Sequence, residues 1–127
     1  MNAVRLNDEV REMLEAICQK RRFQSGEEIT VKGEQHHAMY FILSGWVDIR
    51  FLDERNEACS LRVGERSVLG EMGFLSGRDA VATSVAVGPV TALELNQDVF
   101  DRLMEENPAA ARELSDYLAQ TIDKRLQ

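Results

Sequence analysis

The feature that most restricts the fold is a run of short apolar segments, separated by glycines and polar turns, between Phe23 and Leu95. Apolar and polar residues alternate most clearly in WVDIRF (46–51), so even- and odd-numbered side chains would face opposite sides of a strand. The charged segment DERNE (53–57) predicts the tip of a β-hairpin. Six to eight short strands at such spacing are typical of a closed β sandwich or barrel.

Helical periodicity appears on both sides of this β region. Apolar residues recur at steps of three and four over 7–20, and Asn7 is a suitable N-cap. After the strands, Asn96 predicts the N-cap of a helix over 97–106, and Asn107-Pro108 begins another over 108–126. We therefore predict a mainly β, α+β domain of residues 1–127, in which an antiparallel β roll over 23–95 is flanked by one N-terminal and two C-terminal helices.

The last predicted helix carries an apolar stripe with two interpretations. The stripe could pack onto the core of the roll, or it could form the seam of a homodimer. Both alternatives stay open at the level of sequence. The residues of the stripe are Leu114, Leu118, Ile122 and Leu126.

Charge and composition argue against several classes of function. The net charge of −7 leaves no basic face for nucleic acid. The densest basic cluster, residues 20–22, is expected at the end of the first helix, where cations complement the helix dipole. No signal peptide or membrane span is expected, so we predict a cytoplasmic protein. Cys18 and Cys59 lack metal-ligand spacing, and Cys18 is expected to be a buried thiol.

Three segments resemble the cyclic-nucleotide-binding domain family: FQSGEEITVKGE (23–34), MYFILSGWVDI (39–49) and VGERSVLGEMGFL (63–75). That family includes the sensor domains of catabolite-activator-type regulators, protein kinase A regulatory subunits and nucleotide-gated channels. The resemblance implies a jelly-roll-like, double-stranded β-helix and a non-catalytic sensor of cAMP or cGMP that signals to an effector protein. It also implies that residues 70–83 are the phosphate-binding cassette.

The residues of this cassette suit a cyclic phosphodiester. Gly70 lets the backbone approach a ligand closely. A short helix starting after Glu71 would aim the free N–H groups of about Met72 and Gly73 at the phosphate. The Glu71 carboxylate suits a ribose hydroxyl, although a carboxylate at a helix start can also serve the helix dipole alone.

The cassette departs from the family pattern where that pattern continues with arginine, a small residue, alanine, and threonine or serine. Placing Ala82-Thr83 on the last two positions puts Ala80 where the phosphate-binding arginine belongs and Val81 where a small polar residue is common. Arg78 lies two positions early and either substitutes for that arginine or pairs with Asp79 in solvent. The predicted ligand-binding residues are Gly70, Glu71, Met72, Gly73, Arg78, Ala80, Val81 and Ala82.

Two hypotheses about function follow. In the first, the chain is a cyclic-nucleotide sensor module that signals through its terminal helices. In the second, the loss of the arginine makes it a degenerate member with weak or no nucleotide binding, used for protein interaction or dimerisation. The lid that closes over the base in the family would fall near residues 124–127, so it is truncated, absent or supplied by a partner chain.

An enzyme is not expected, and neither is a metal or a cofactor. A β roll with the adjacent pair His36-His37 raises the alternative of a metal-dependent cupin. Cupin ligation needs histidines on alternate residues of a strand, so that the side chains converge, whereas adjacent residues point to opposite faces. Two histidines in the whole chain cannot supply three histidine ligands.

Overall fold

The computed structural model describes residues 8–35, 38–70, 77 and 79–126, without the side chains of residues 9, 10 and 120–126. It shows the predicted antiparallel β roll with one helix before it and two after it. The elements are α1 (Asp8–Ile17), β1 (Gln19–Phe23), β2 (Glu28–Thr30), β3 (Ala38–Leu52), β4 (Ala58–Val63), β5 (Val68–Leu69), β6 (Thr83–Asn96), α2 (Gln97–Glu106) and α3 (Pro108–Leu126).

Two long strands organise the sheet. β3 has 15 residues and β6 has 14, and they pair with each other along most of their length. β1 and β2 pair with β6, whereas β4 and β5 pair with β3. We predicted shorter strands because glycines interrupt both segments. In the structure Gly45 lies inside β3 and Gly88 inside β6, so these glycines bend strands that continue past them.

The bend in β3 changes which of its side chains face the inside of the roll. The register between β3 and β6 shifts between Ile42 and Ser44 and again between Ser44 and Trp46. Before the shifts, the even-numbered Ile42 belongs to the interior; after them, the odd-numbered Val47 does. Such irregularities bend a strand and re-aim its side chains. The alternation predicted over 46–51 is confirmed on the far side of the bend.

Residues 20–22 do not end a helix, and the prediction that they do is wrong. α1 stops at Ile17, and Lys20–Arg22 lie in β1, which pairs with β6. Pairing supplies hydrogen bonds that a helix end would leave open. Of these three cations, Arg21 forms an ion pair with Glu94 of β6. Its guanidinium also lies 5.2 Å from the centre of the Phe23 ring.

Cys18 lies between α1 and β1, and its amide donates a 2.8 Å hydrogen bond to the carbonyl of Leu14. Its side chain is partly buried against the residues that pack between the sheet and the helices. Burial, together with the nearby negative charge of Glu94, raises the pKa of the Cys18 thiol to about 12. The thiol is therefore protonated and unreactive at neutral pH.

The apolar residues form two clusters. The interior cluster fills the inside of the roll, and the helix-side cluster lies between the sheet and the three helices. The interior cluster consists of Phe23, Ile29, Ile42, Val47, Ile49, Val63, Leu69, Ala86, Val90 and Ala92. The helix-side cluster consists of Leu14, Met39, Phe41, Val68, Leu93, Leu95, Leu103, Ala110, Ala111, Leu114 and Leu118.

The apolar stripe of α3 is used, in its described part, as core. Leu114 and Leu118 are both 0% exposed in this single chain. The side chains of Ile122 and Leu126 lie outside the described residues, and a homodimer through this helix stays a prediction. No helix in the described residues is long and apolar enough to cross a membrane.

Both predicted N-caps of the C-terminal helices are confirmed. The side-chain oxygen of Asn96 accepts a 2.8 Å hydrogen bond from the amide of Val99, and that of Asn107 accepts one of 3.2 Å from Ala110. Each bond satisfies an amide that the first turn of the helix would leave unpaired.

We expect Asn96→Ala to lower the free energy of unfolding by about 1 kcal/mol, because the amide of Val99 loses its acceptor. Asn96→Asp keeps an acceptor oxygen and adds a negative charge at the helix N-terminus, so its stability should stay near that of the parent. Urea unfolding followed by circular dichroism measures both. Equal losses in the two variants would contradict a capping role.

Candidate functional site

The candidate site lies at the end of the roll where the chain leaves the sheet after β5. Gly70 is the last described residue there, and its φ of +79° is a conformation that favours glycine. A Cβ at this position would lie 3.2 Å from the carbonyl oxygen of Ala38 and 3.7 Å from the methyl group of Thr30. Glycine therefore lets the backbone turn in close contact with the start of β3.

The segment that precedes β6, residues 79–82, is fixed by backbone hydrogen bonds. The amide of Ala80 donates to the carbonyl of Glu34, and the carbonyl of Ala80 accepts from the amide of Gly33, both at 2.9 Å. An isolated bridge between Gln35 and Asp79 extends the pairing. The backbone of residue 80 is thus held against the segment between β2 and β3, whatever its side chain.

Side chains alternate along this segment. Ala80 is 9% exposed, and Ala82 packs against the interior cluster. Val81 between them is 57% exposed and lies at the surface. An arginine in place of Ala80 would therefore start from the inside of the roll, whereas one in place of Val81 would start from the outside.

Two buried hydroxyl groups join the parts of the site. Thr30 and Ser84 are each 3% exposed, and the Thr30 hydroxyl lies 2.8 Å from the Ser84 Oγ and 3.3 Å from the carbonyl oxygen of Ala82. Since the methyl group of Thr30 faces Gly70, this residue touches both the chain at Gly70 and the segment 79–82. Sequence reasoning missed the pair, because single hydroxyl residues in apolar strands carry no recognisable spacing.

The structure brings together part of the predicted set. Gly70, Ala80 and Ala82 lie around Thr30 and the segment 33–34, whereas Val81 lies at the surface. No group of three or more His, Cys, Asp or Glu side chains in the described part of the chain could hold a metal ion. Glu71, Met72, Gly73, Arg78, His36 and His37 lie outside the described residues.

The chain belongs to the cyclic nucleotide-binding domain family, whose model matches residues 20–107. The matched range begins at the second residue of β1 and ends directly after α2, so it contains the roll except Gln19 and both described ends of the cassette.

Similar proteins place this domain in different contexts. Glutaminase 1 of Bradyrhizobium diazoefficiens is 34% identical over 119 residues, which are 94% of this chain and 19% of that protein. The cAMP-dependent protein kinase type II regulatory subunit of Drosophila melanogaster is 28% identical over 118 residues, covering 91% of this chain and 31% of that one. The crystal structure of the Thermus thermophilus catabolite activator protein is 25% identical with a TM-score of 0.76, covering 94% of this chain and 57% of that one. The chain thus spans less than two thirds of each of these proteins.

Proposed function

We propose that the chain is a non-catalytic, cytoplasmic sensor-type module that binds cAMP or cGMP weakly in the cassette 70–83 and signals to an effector through its terminal helices. Membership of the family supports the ligand class. The observation that carries the proposal is the backbone at residue 80, which two hydrogen bonds hold in place although its side chain is only a methyl group. On this proposal the chain keeps the backbone frame of a phosphate site and lacks its arginine.

The missing guanidinium sets the expected affinity. A hydrogen bond to a charged group contributes roughly 1.5–3 kcal/mol, and about 1.4 kcal/mol corresponds to a tenfold change in affinity. Losing this contact converts a micromolar site into a much weaker one. We therefore expect dissociation constants above roughly 100 μM for both cAMP and cGMP.

Ala80→Arg is expected to strengthen cyclic-nucleotide binding about thirtyfold, which corresponds to about 2 kcal/mol. The backbone of residue 80 is already positioned, so the fold meets part of the ordering cost of the new contact. Isothermal titration calorimetry with cAMP and with cGMP, on parent and variant, measures the gain. Because the Val81 side chain lies at the surface, Val81 does not need to be replaced by a smaller residue to make room for the ligand.

Val81→Arg is the matched control, since it adds the same charge one residue away on the outer side of the roll. It should leave the affinity within about twofold of the parent value, because its guanidinium starts from the wrong face. If both arginine variants gain equally, the effect is general attraction between charges. If neither gains, residues 70–83 no longer form a phosphate site, and the sensor proposal fails.

A degenerate member of the family that acts in protein interaction is the second candidate. It is favoured by the uncharged residue at position 80 and by large apolar side chains at the surface of the roll, where Trp46 is 57% and Leu52 is 44% exposed. Absence of cyclic-nucleotide binding in the parent and in Ala80→Arg would favour this candidate over the sensor.

A further inference from the structure

A row of polar side chains crosses the outer face of the sheet, on the side away from the interior of the roll. Arg50 of β3 lies opposite Thr83 of β6 on one side and opposite Ser60 of β4 on the other. Directly opposite residues in antiparallel strands present their side chains on the same face, with Cβ atoms about 4.5–5.5 Å apart. The Thr83 hydroxyl oxygen also accepts a 3.0 Å hydrogen bond from the amide of Lys32.

This row belongs to the outside of the roll. The residues next to it, Ile49 in β3 and Ser84 in β6, are 5% and 3% exposed and face the interior. Because side chains alternate along a strand, Arg50 and Thr83 project outward. A ligand held here would therefore be separated by the sheet from one bound inside the roll.

The row lines an open cavity with an apolar side. The volume of this cavity is about 510 Å³, within the range of about 300–1,000 Å³ that is usual for small-molecule sites. Lys32 and Arg50 supply charge, Ser60 and Thr83 supply hydroxyl groups, and the directly opposite pair Leu52 and Ala58 supplies apolar surface on the same face. A phosphate joined to an aromatic ring needs these three kinds of group.

Neither cation forms an ion pair with a carboxylate among the described residues. Arg11, Arg21, Arg62 and Arg66 each form an ion pair, whereas no such pair involves Lys32 or Arg50. Asp48 lies on the same face of β3, and its pKa is lowered chiefly by the hydrogen bonds from Arg62, of 2.7 and 3.1 Å, with the nearby charge of Arg50 adding to the effect. In a chain with a net charge of −7, a cavity lined by two cations that form no ion pair among the described residues favours an anion.

We propose that this cavity is a second binding site for a small aromatic phosphate monoester, on the opposite side of the sheet from the interior of the roll and sharing, among the described residues, only Thr83 with the cassette 70–83. A monoester carries a charge of about −1.5 to −2 at pH 7, so it matches two cations better than the single charge of a cyclic diester. The phosphate lies between Lys32 and Arg50 and accepts from Ser60 and Thr83. The ring lies on the apolar side formed by Leu52 and Ala58.

The test is a titration with phenyl phosphate at about pH 7.5, where the monoester is dianionic, followed by amide resonances in NMR spectra of isotope-labelled protein. We expect saturable shifts around residues 50–52 and 58–60 and at Thr83, with a dissociation constant of about 1 mM or lower. Arg50→Gln and Lys32→Gln should each weaken binding about tenfold, the effect of about 1.4 kcal/mol. Thermal unfolding of each variant checks that the fold is intact.

Arg22→Gln is the matched control, because it removes one exposed positive charge on β1, outside the row. It should leave phenyl phosphate binding unchanged within about twofold. An equal loss in Arg22→Gln, or no saturable shift with phenyl phosphate, overturns the proposal. Inorganic phosphate that binds as tightly as phenyl phosphate also overturns it, because the ring then contributes nothing.

The result is independent of the cyclic-nucleotide proposal. Arg50→Gln and Lys32→Gln should not change the weak titration with cAMP, and Ala80→Arg should not change the titration with phenyl phosphate. Failure of either site is thus visible without reference to the other. If phenyl phosphate and cAMP compete for one site, the proposal of a separate site is wrong.

Discussion

Replacing Gly45 with alanine is expected to lower the free energy of unfolding by on the order of 4 kcal/mol. A Cβ there would lie 2.4 Å from the carbonyl oxygen of Pro89 and 3.0 Å from the Cα of Val90. Both are backbone atoms of β6, so the contact cannot be relieved by turning a side chain. The φ of Gly45 is +100°, which adds strain for any residue with a Cβ.

Gly26→Ala separates these two causes. Gly26 also has a positive φ, of +85°, but no atom lies within 4 Å of a Cβ built there. Its replacement should therefore cost only the backbone strain, about 1–2 kcal/mol. Urea unfolding of the parent and both variants gives the difference. If Gly45→Ala loses no more than Gly26→Ala, the close approach of β3 to β6 is not what requires glycine.

Leu114→Ala is expected to lower the free energy of unfolding by about 3 kcal/mol, within the 2–5 kcal/mol usual for such changes. Leu114 is fully buried in the helix-side cluster, so the truncation removes apolar contacts and leaves a cavity between α3 and the sheet. Equilibrium unfolding in urea is again the measurement. The change should also loosen α3, the helix through which we propose that the domain signals.

The neighbouring Glu113→Ala serves as the control, because Glu113 is exposed on the same helix. A surface change of this kind should stay within about 0.5 kcal/mol of the parent. A loss below about 1 kcal/mol for Leu114→Ala would mean that α3 packs weakly on the roll. The apolar stripe would then be better explained as the seam of a homodimer.

The sequence predicted best those elements whose signals are local. The bounds of α2 and α3 follow from Asn96, Asn107 and Pro108, and the structure has the same bounds. The strand lengths could not be predicted from the sequence, because a glycine within a bent strand cannot be distinguished by sequence from a glycine at the end of a strand. The state of Lys20–Arg22 depends on pairing with β6, more than 60 residues away, which no local pattern reveals.

The candidate site could be predicted only where it carries a motif. Gly70 and Ala80 stand out because glycine spacing and a departure from the family pattern mark them, and the structure shows what each backbone does. No motif identifies Thr30 and Ser84, because their role depends on a hydrogen bond between two residues that are 54 positions apart in the sequence. The outer row through Arg50 is likewise set by strand register, which depends on the bulges in β3.

The two apolar clusters are mechanically linked because they share strands. Phe41 belongs to the helix-side cluster and the next residue, Ile42, to the interior cluster; Val68 and Leu69 are divided in the same way. Since one peptide unit joins each pair, a strand cannot slide or rotate at one member without displacing the other. Leu69 also directly precedes Gly70. A displacement of Leu69 on the inner side of the roll would therefore also displace Val68 under the helices, because the two residues share one peptide unit.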